Sequence, residues 1–273
     1  MDWHLIVPRE GAFTKEEARE AREVRMRCGR PMQMAGPFGV KDGTLPLSPE
    51  DILLAAQALT GHSLSQHEET LRQGYAALPG GHRMGVCGHM MQDGLFFFSS
   101  LCVRMAHQVK GAAVPLYGQV KGQNVLILGG PGAGKTTFLR DLVRLSAQTA
   151  QVALADTRGE IAACYQGRPQ LDVGPRCDVM TGGNREEMML NMLRSMCPQV
   201  MACDEIGSTA DGQVLMEIRR CGVRLLATAH APSLQEARRR PQLAPLLAQG
   251  VFDTVIRLDG PGLPPHITRL CSG

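Results

Sequence analysis

Gly129-Gly130-Pro131-Gly132-Ala133-Gly134-Lys135-Thr136-Thr137 fits the pattern G-x-x-x-x-G-K-[ST], the phosphate-binding P-loop. Its flanks fit as well. Asn124-Val125-Leu126-Ile127-Leu128 is a short apolar, β-branched run of the kind a buried parallel strand shows. Behind the motif, Phe138, Leu139, Leu142 and Leu145 recur at helical spacing. Strand, glycine-rich loop and helix start therefore come in the required order. Glycines allow backbone N–H groups to curl round a phosphate chain, and the helix start adds its partial positive charge. Residues 129–137 are thus expected to hold the phosphates, with Lys135 reaching the β- and γ-phosphates and Thr136 offering a hydroxyl to Mg²⁺. A nucleoside triphosphate, ATP with Mg²⁺, is the expected ligand.

The 273 residues suit one large domain or two modest ones, and 44% hydrophobic residues are enough for ordinary cores. No run approaches the roughly 18 apolar residues of a membrane span, and Met1 to Ala12 lacks the apolar core of a secretory leader. The nine cysteines are odd in number and never in C-x-x-C, so they read as reduced thiols of a cytosolic protein. Cys87 with His82 and His89 lacks the second ligand pair of a structural zinc site. The net charge of +3 lies entirely in the second half: residues 1–112 carry 12 basic and 12 acidic groups, residues 113–273 carry 17 and 14. That excess is too small to argue for nucleic acid. Arg238-Arg239-Arg240 reads as a solvated helix end ahead of a polyanion contact.

The first part of the chain has the pattern of a small α+β domain. Thr14-Lys15-Glu16-Glu17 is a capping box, Val24, Met26 and Cys28 alternate as a strand, and Ser48-Pro49-Glu50-Asp51 opens a helix. Leu64 to Ala76 reads as a further helix. His82 to Cys87 and Leu95 to Phe98 flank a turn at Gln92-Asp93-Gly94, and Leu101, Val103 and Met105 alternate again. No nucleophile–base constellation occurs there, so docking or oligomerisation is the expected role of residues 1–112. The segment from Gly111 to Lys121 reads as the junction to residues 113–273.

Strand–helix units then repeat, as a parallel sheet requires. Asn184 caps a helix with a stripe of Met188, Met189, Met192, Leu193 and Met196, read as core packing first and an adaptable interface second. Val200-Met201-Ala202-Cys203 is an apolar strand carrying Asp204-Glu205 at its end. Asp204 is the expected Mg²⁺ carboxylate, and Glu205 the group that polarises the attacking water. The strand at Val223 to Ala227 delivers Thr228 and His230 to the same sheet edge, where ligands of open α/β sheets gather. His230 reads as a sensor of the γ-phosphate; a histidine satisfied within the fold is the competing reading. The expected catalytic set is Lys135, Glu205 and His230.

Gly134-Lys135-Thr136-Thr137, Asp156-x-Arg158-x-Glu160-Ile161, Arg194-Ser195-Met196-x-Pro198, Asp204-Glu205-Ile206-Gly207 and Thr228-Ala229-His230 resemble the stage III sporulation protein AA family. So do Val24-Arg25-Met26-Arg27-x-Gly29-Arg30-Pro31, Gly81-His82-Arg83-Met84-Gly85-Val86-x-Gly88 and Val103-Arg104-Met105-Ala106. The similarity runs from about Glu23 to Leu258. It implies an α/β RecA-like P-loop ATPase domain behind the small α+β domain, related to type II and type IV secretion motors. It further implies a homo-oligomeric, hexameric ring in the cytoplasm of the mother cell, peripheral to the membrane through proteins of the channel complex to the forespore. An arginine from a neighbouring subunit is then expected at the nucleotide, with Arg83 and Arg104 the first candidates and Arg158 and Arg194 the second. The segment ahead of Thr14 looks shorter than the family's, which implies a missing N-terminal helix. Asp253-Thr254 stands where the family has an acidic-then-basic pair. Two other classes compete with the motor: a nucleic-acid-binding RecA-like ATPase, for which Phe96-Phe97-Phe98 is the sole stacking candidate, and a docking module gated by nucleotide. A docking module has no need of Glu205.

Overall fold

The computed structural model of the chain describes residues 13–90 and 96–270. Residues 1–12, to which the expected N-terminal difference belongs, and the Gln92-Asp93-Gly94 turn lie outside them. The chain divides into two compact units, Met1–His107 and Gln108–Gly273.

In the first unit Thr14 caps α1 (Lys15–Glu20) through the reciprocal bonds of a capping box with Glu17. Ser48 caps α2 (Pro49–Leu59) in the same way with Asp51. Strands β1 (Glu23–Arg27), β2 (Pro31–Gly36), β3 (Gly39–Pro46), β4 (Tyr75–Ala77), β5 (Arg83–Met90) and β6 (Phe96–Arg104) form one antiparallel sheet in the order β3-β2-β1-β6-β5-β4. The period of two sorts its faces. Val24, Met26, Met34, Met84, Leu101 and Val103 are buried and share a core with Ile52, Ala55, Ala56 and Leu59 of α2. Arg25, Arg83 and Arg104 alternate with them on the opposite face.

Two expectations for this unit change. The helix placed across Leu64 to Ala76 breaks into a 3-10 turn (Leu64–His67) and α3 (Glu68–Arg72), after which β4 begins. Gly74, at φ +86°, reverses the chain, and Tyr75 to Ala77 pair with Gly85 to Arg83, a tertiary contact that overrides helical propensity. Of the phenylalanine run, Phe98 is buried and only Phe97, 61% exposed, is described as projecting to solvent. A stacking row for bases needs successive exposed rings.

The second unit begins with α4 (Val114–Val120), lying inside the segment expected as a plain junction. Pro115 suits its first turn, Ala113 N–H donates to buried Asp141 at 2.8 Å, and the Tyr117 hydroxyl donates to Leu145 O at 3.1 Å, so it packs on the P-loop helix. Then follow β7 (Val125–Gly129), α5 (Lys135–Ser146), β8 (Val152–Asp156), β9 (Cys177–Thr181), α6 (Arg185–Met196), β10 (Val200–Cys203), α7 (Thr209–Arg220) and β11 (Arg224–His230). The short helices α8 (Leu234–Ala237) and α9 (Ala244–Ala248) lead to β12 (Thr254–Leu258) and β13 (His266–Arg269). The sheet order is β13-β12-β7-β11-β10-β8-β9, parallel except for β13 against β12.

Both faces of this sheet are covered. Val125 and Ile127 of β7 belong to a core with Phe138, Leu139, Leu142 and Val143 of α5. Leu126 and Leu128 point the other way, into a core with Met188, Met189 and Met192 of α6 and Leu215 and Ile218 of α7. The methionine stripe is therefore core along most of α6, and only Met196 at its end is exposed. Buried Asn124 locks the entry to the central strands. Its carbonyl accepts from Asp253 and Thr254 N–H, its side-chain oxygen from Leu225 N–H, and Asp253 receives its backbone and side-chain N–H at 2.7 Å. No helix among the described residues is long and apolar enough to cross a membrane.

His82 gives the first unit a pH signature. Its Nδ1 accepts from Ala106 N–H at 2.9 Å, so the ring is neutral there. Burial, helped by nearby His107, pushes its pKa below the usual histidine value. The unfolded chain therefore binds a proton first as pH falls. Stability contributed by this group is complete above about pH 6.5 and shrinks as pH drops towards the depressed folded value. Urea midpoints recorded from pH 8 to pH 5 should fall for the wild type and flatten in His82→Gln.

Candidate functional site

The carboxyl ends of β7, β10 and β11 meet side by side. The register sets His230 of β11 opposite Gly129 of β7 and Ala227 opposite Cys203 of β10. These ends, with the loops after β7, β8 and β10, surround a pocket of about 390 Å³ lined by Pro131 to Thr137, Arg158, Glu160, Asp204, Glu205, Thr228 and His230. Every expected catalytic and metal residue is therefore in one place, together with the P-loop from Pro131 on.

Gly129 ends β7 against β12: a Cβ there would sit 2.8 Å from Leu258 O and 2.9 Å from Ala133 Cβ. Gly134 is the N-cap of α5 at φ +91°, a backbone that favours glycine and aims the first N–H groups of the helix at the loop. Lys135 is buried. Its Nζ donates to Gly129 O at 3.0 Å and Gly130 O at 2.8 Å and lies 3.1 Å from His230 Nδ1. Burial lowers its pKa, while Asp204 and Glu205 pull it back up. An ammonium has only donors, so His230 Nδ1 is the acceptor and its ring proton sits on Nε2, facing Glu205 Oε1 at 3.5 Å.

Thr136 and Asp204 face each other, Oγ1 donating to Oδ2 at 3.3 Å. Thr228 donates to the other Asp204 oxygen at 2.7 Å and accepts the Glu205 N–H at 2.8 Å. Glu205 has φ +49°, rare for a residue with a Cβ and costing about 1–2 kcal/mol. Its Oε2 meets Arg158 Nη1 at 3.0 Å, an ion pair whose arginine is 63% exposed and thus readily exchanged.

Several contributors were given no role by the sequence. Buried Asp156, at the end of β8, accepts from the N–H groups of Glu160, Ile161 and Ala162 at 2.9–3.0 Å. Burial still raises its pKa despite those three bonds. Arg140, buried in α5, donates to Ile161 O and Glu160 O and rivets the loop from the other side. Together they bring Glu160 to the pocket wall, and the carboxylate at the end of Asp156-x-Arg158-x-Glu160 was its one trace in the sequence. Arg185 ties the loops after β8 and β10 to the first turn of α7 behind the site. The arginines considered as trans donors are dispersed. Arg158 lines the pocket, and Arg194 is an exposed residue of α6 that does not. Arg83 and Arg104 are cross-strand partners in the first unit; the former stacks on Tyr75 at 4.0 Å and the latter lies 3.7 Å from Glu23.

The donor set suits Mg²⁺ with a nucleoside triphosphate. Two hard oxygen donors, on Thr136 and Asp204, lie within reach of one ion, and a lysine and a helix start are aimed at an anion. Thr228→Val leaves the Asp204 carboxylate and the Glu205 N–H short of a partner inside the protein. Urea unfolding should show a loss of about 1–3 kcal/mol, with Thr228→Ser retaining most of the stability.

The model of the family described as "Sporulation stage III, protein AA" matches residues 10–271. Stage III sporulation protein AA of Bacillus subtilis (strain 168) is 36% identical over 265 residues, covering 91% of this chain and 86% of that protein. Among solved structures, the pilus retraction motor PilT with bound ADP superposes with a TM-score of 0.64 at 14% identity, covering 89% of this chain and 76% of that one. The ATPase DotB of Legionella pneumophila gives 0.59 at 13%, covering 89% and 73%. At such identities the likeness speaks for the fold, a RecA-like P-loop architecture with a parallel sheet. The sequence relationship, running through both units, says more: the chain belongs to the stage III sporulation protein AA family.

Proposed function

We propose that this chain is the subunit of an ATP-driven motor, converting ATP and water to ADP and phosphate. The observation that carries this reading is the convergence of Lys135, the facing Thr136 and Asp204, and Glu205 on one pocket. Lys135 meets the β- and γ-phosphates, and its two backbone contacts fix where its charge stands. Thr136 and Asp204 would hold Mg²⁺, which offsets charge on the β- and γ-phosphate oxygens. Glu205 polarises the attacking water, and His230, which accepts from Lys135 and lies 3.5 Å from Glu205, senses the γ-phosphate. Residues 113–273 form the motor and residues 1–112 the docking and oligomerisation domain of a homo-oligomeric, hexameric ring. Family membership supports placing that ring in the cytoplasm, held at the membrane by proteins of the mother cell–forespore channel complex.

Ground state and transition state separate the two central residues. Lys135→Ala should lose Mg·ATP binding in titration calorimetry. Glu205→Gln should bind Mg·ATP with near wild-type affinity while turnover falls roughly 100-fold or more, the size of a general-base contribution. Loss of binding in Glu205→Gln would count against this division, and a wild type that turns over no ATP would end the hydrolytic reading.

Charge spread over the γ-oxygens calls for a further guanidinium, which a neighbouring subunit supplies. Arg104 is the better donor: it is 73% exposed and 3.7 Å from its nearest carboxylate, whereas Arg83 is engaged by Tyr75. Specific activity should then rise with protein concentration as subunits assemble. Mixing Lys135→Ala with Arg104→Ala should recover part of the lost turnover at interfaces that pair an intact P-loop with an intact arginine. Flat specific activity from nanomolar to micromolar protein, with no rescue on mixing, is the result that rules it out.

A further inference from the structure

Glu205 stands in a left-handed backbone conformation, and two supports hold it there. On one side is Thr228 of β11: its hydroxyl accepts Glu205 N–H and its carbonyl accepts Ile206 N–H, each at 2.8 Å. The other side is a single guanidinium. Arg185, the first residue of α6, donates from Nη1 to Glu205 O at 2.7 Å and to Asp211 Oδ2 at 3.1 Å. The same Asp211 oxygen accepts Gly207 and Ser208 N–H at 2.9 Å, so the whole turn after Glu205 closes on the Arg185–Asp211 pair. From Nη2 Arg185 reaches Thr157 Oγ1 at 3.2 Å, the neighbour of the arginine that pairs with the Glu205 carboxylate.

We infer that Arg185 is a positioning residue for Glu205, acting through the Glu205 carbonyl and Thr157 without touching the nucleotide; this rests on the hydrolytic reading above. Arg185 is not among the residues lining the pocket, and its side chain is only 15% exposed beside the buried Asp211 carboxylate. A planar fork with separated donors spans Glu205 O and Thr157 together. A lysine keeps the charge beside Asp211 but has one nitrogen, which cannot serve both loops. Small displacements of a catalytic group are expensive, about 100-fold in rate for an ångström.

The test is a double-mutant cycle with Arg185→Lys in the wild-type and Glu205→Gln backgrounds, reading kcat, KM and Mg·ATP affinity by calorimetry. Turnover should fall about 10- to 100-fold in the wild-type background with ATP affinity within about threefold. In the Glu205→Gln background the second change should alter kcat by less than about twofold, because the group it positions is already gone. Thr157→Val, which cuts one arm and leaves the ion pair, should cost about 2- to 10-fold in kcat, the size of one net hydrogen bond. Should Arg185→Lys fail to fold, the same cycle run with Thr157→Val decides. Unchanged kcat, ATP affinity falling in step with kcat, or losses that multiply in the Glu205→Gln background each overturn the inference while leaving the hydrolytic reading intact. A wild type without turnover removes both.

Discussion

Thr228 donates a 2.7 Å hydrogen bond to Asp204 and takes the Glu205 N–H on the same oxygen, and the site depends on that contact. It exists because β11 runs between β7 and β10 in a parallel register fixed along both edges. A slip by one residue would turn Thr228 to the other face of the sheet and His230 with it. The hydroxyl would then leave a carboxylate and a backbone N–H without that partner. Asn124 guards this register from the opposite end of the strands, where it binds both β11 and the entry to β12. The P-loop is thus only one of three strand ends that have to agree.

Buried charge is the second constraint. Lys135, Arg140, Asp156 and Asp211 are all buried, and each is hydrogen-bonded to backbone groups. Asp156 accepts three N–H groups, Arg140 supplies two carbonyls, and Lys135 two more. An unpaired buried charge costs several kcal/mol, so these bonds fix the loops rather than merely decorate them. The loop between β8 and β9 is shaped this way without regular structure of its own, and it delivers Arg158 and Glu160 to the pocket.

What was legible in the sequence is what repeats or what obeys a spacing rule. The glycine-rich loop, the apolar strands β7 and β10 and the helix starts at Thr14 and Ser48 are local patterns, and each stands where it was read. Asp204, Thr228 and His230 were found because they follow such strands. β2, β3, β4, β9 and β13 were missed, and all of these but β2 lie at sheet edges. α4 hid behind Gly111, Pro115 and Gly118, residues that suggest a linker until Asp141 and Leu145 are seen to receive it. Arg140 and Arg185 were unreadable for another reason. Each lies on a helix among residues of the right helical period, and its partners are distant in sequence: two loop carbonyls for Arg140, and a carbonyl, a carboxylate and a hydroxyl for Arg185. Asp253 is similar: it looked like a departure from a family pair, yet it staples the start of β7.

The two oxygens of Glu205 are not equivalent, and this bears on how the site works. Oε2 holds Arg158 at 3.0 Å, whereas among the described residues Oε1 has only the His230 N–H at 3.5 Å, too long for a strong bond. Oε1 is therefore the oxygen open to a water. His230 keeps its proton on the side facing that oxygen because Lys135 occupies its other nitrogen. Any group that draws the Lys135 charge towards a phosphate also weakens the hold on Nδ1, and so changes the ring that borders Oε1. In the proposed reaction, phosphate recognition and the orientation of Glu205 would thus be linked through one imidazole. Arg158, mostly exposed, can exchange partners at little cost, while Arg185 and Thr228 keep the Glu205 backbone still.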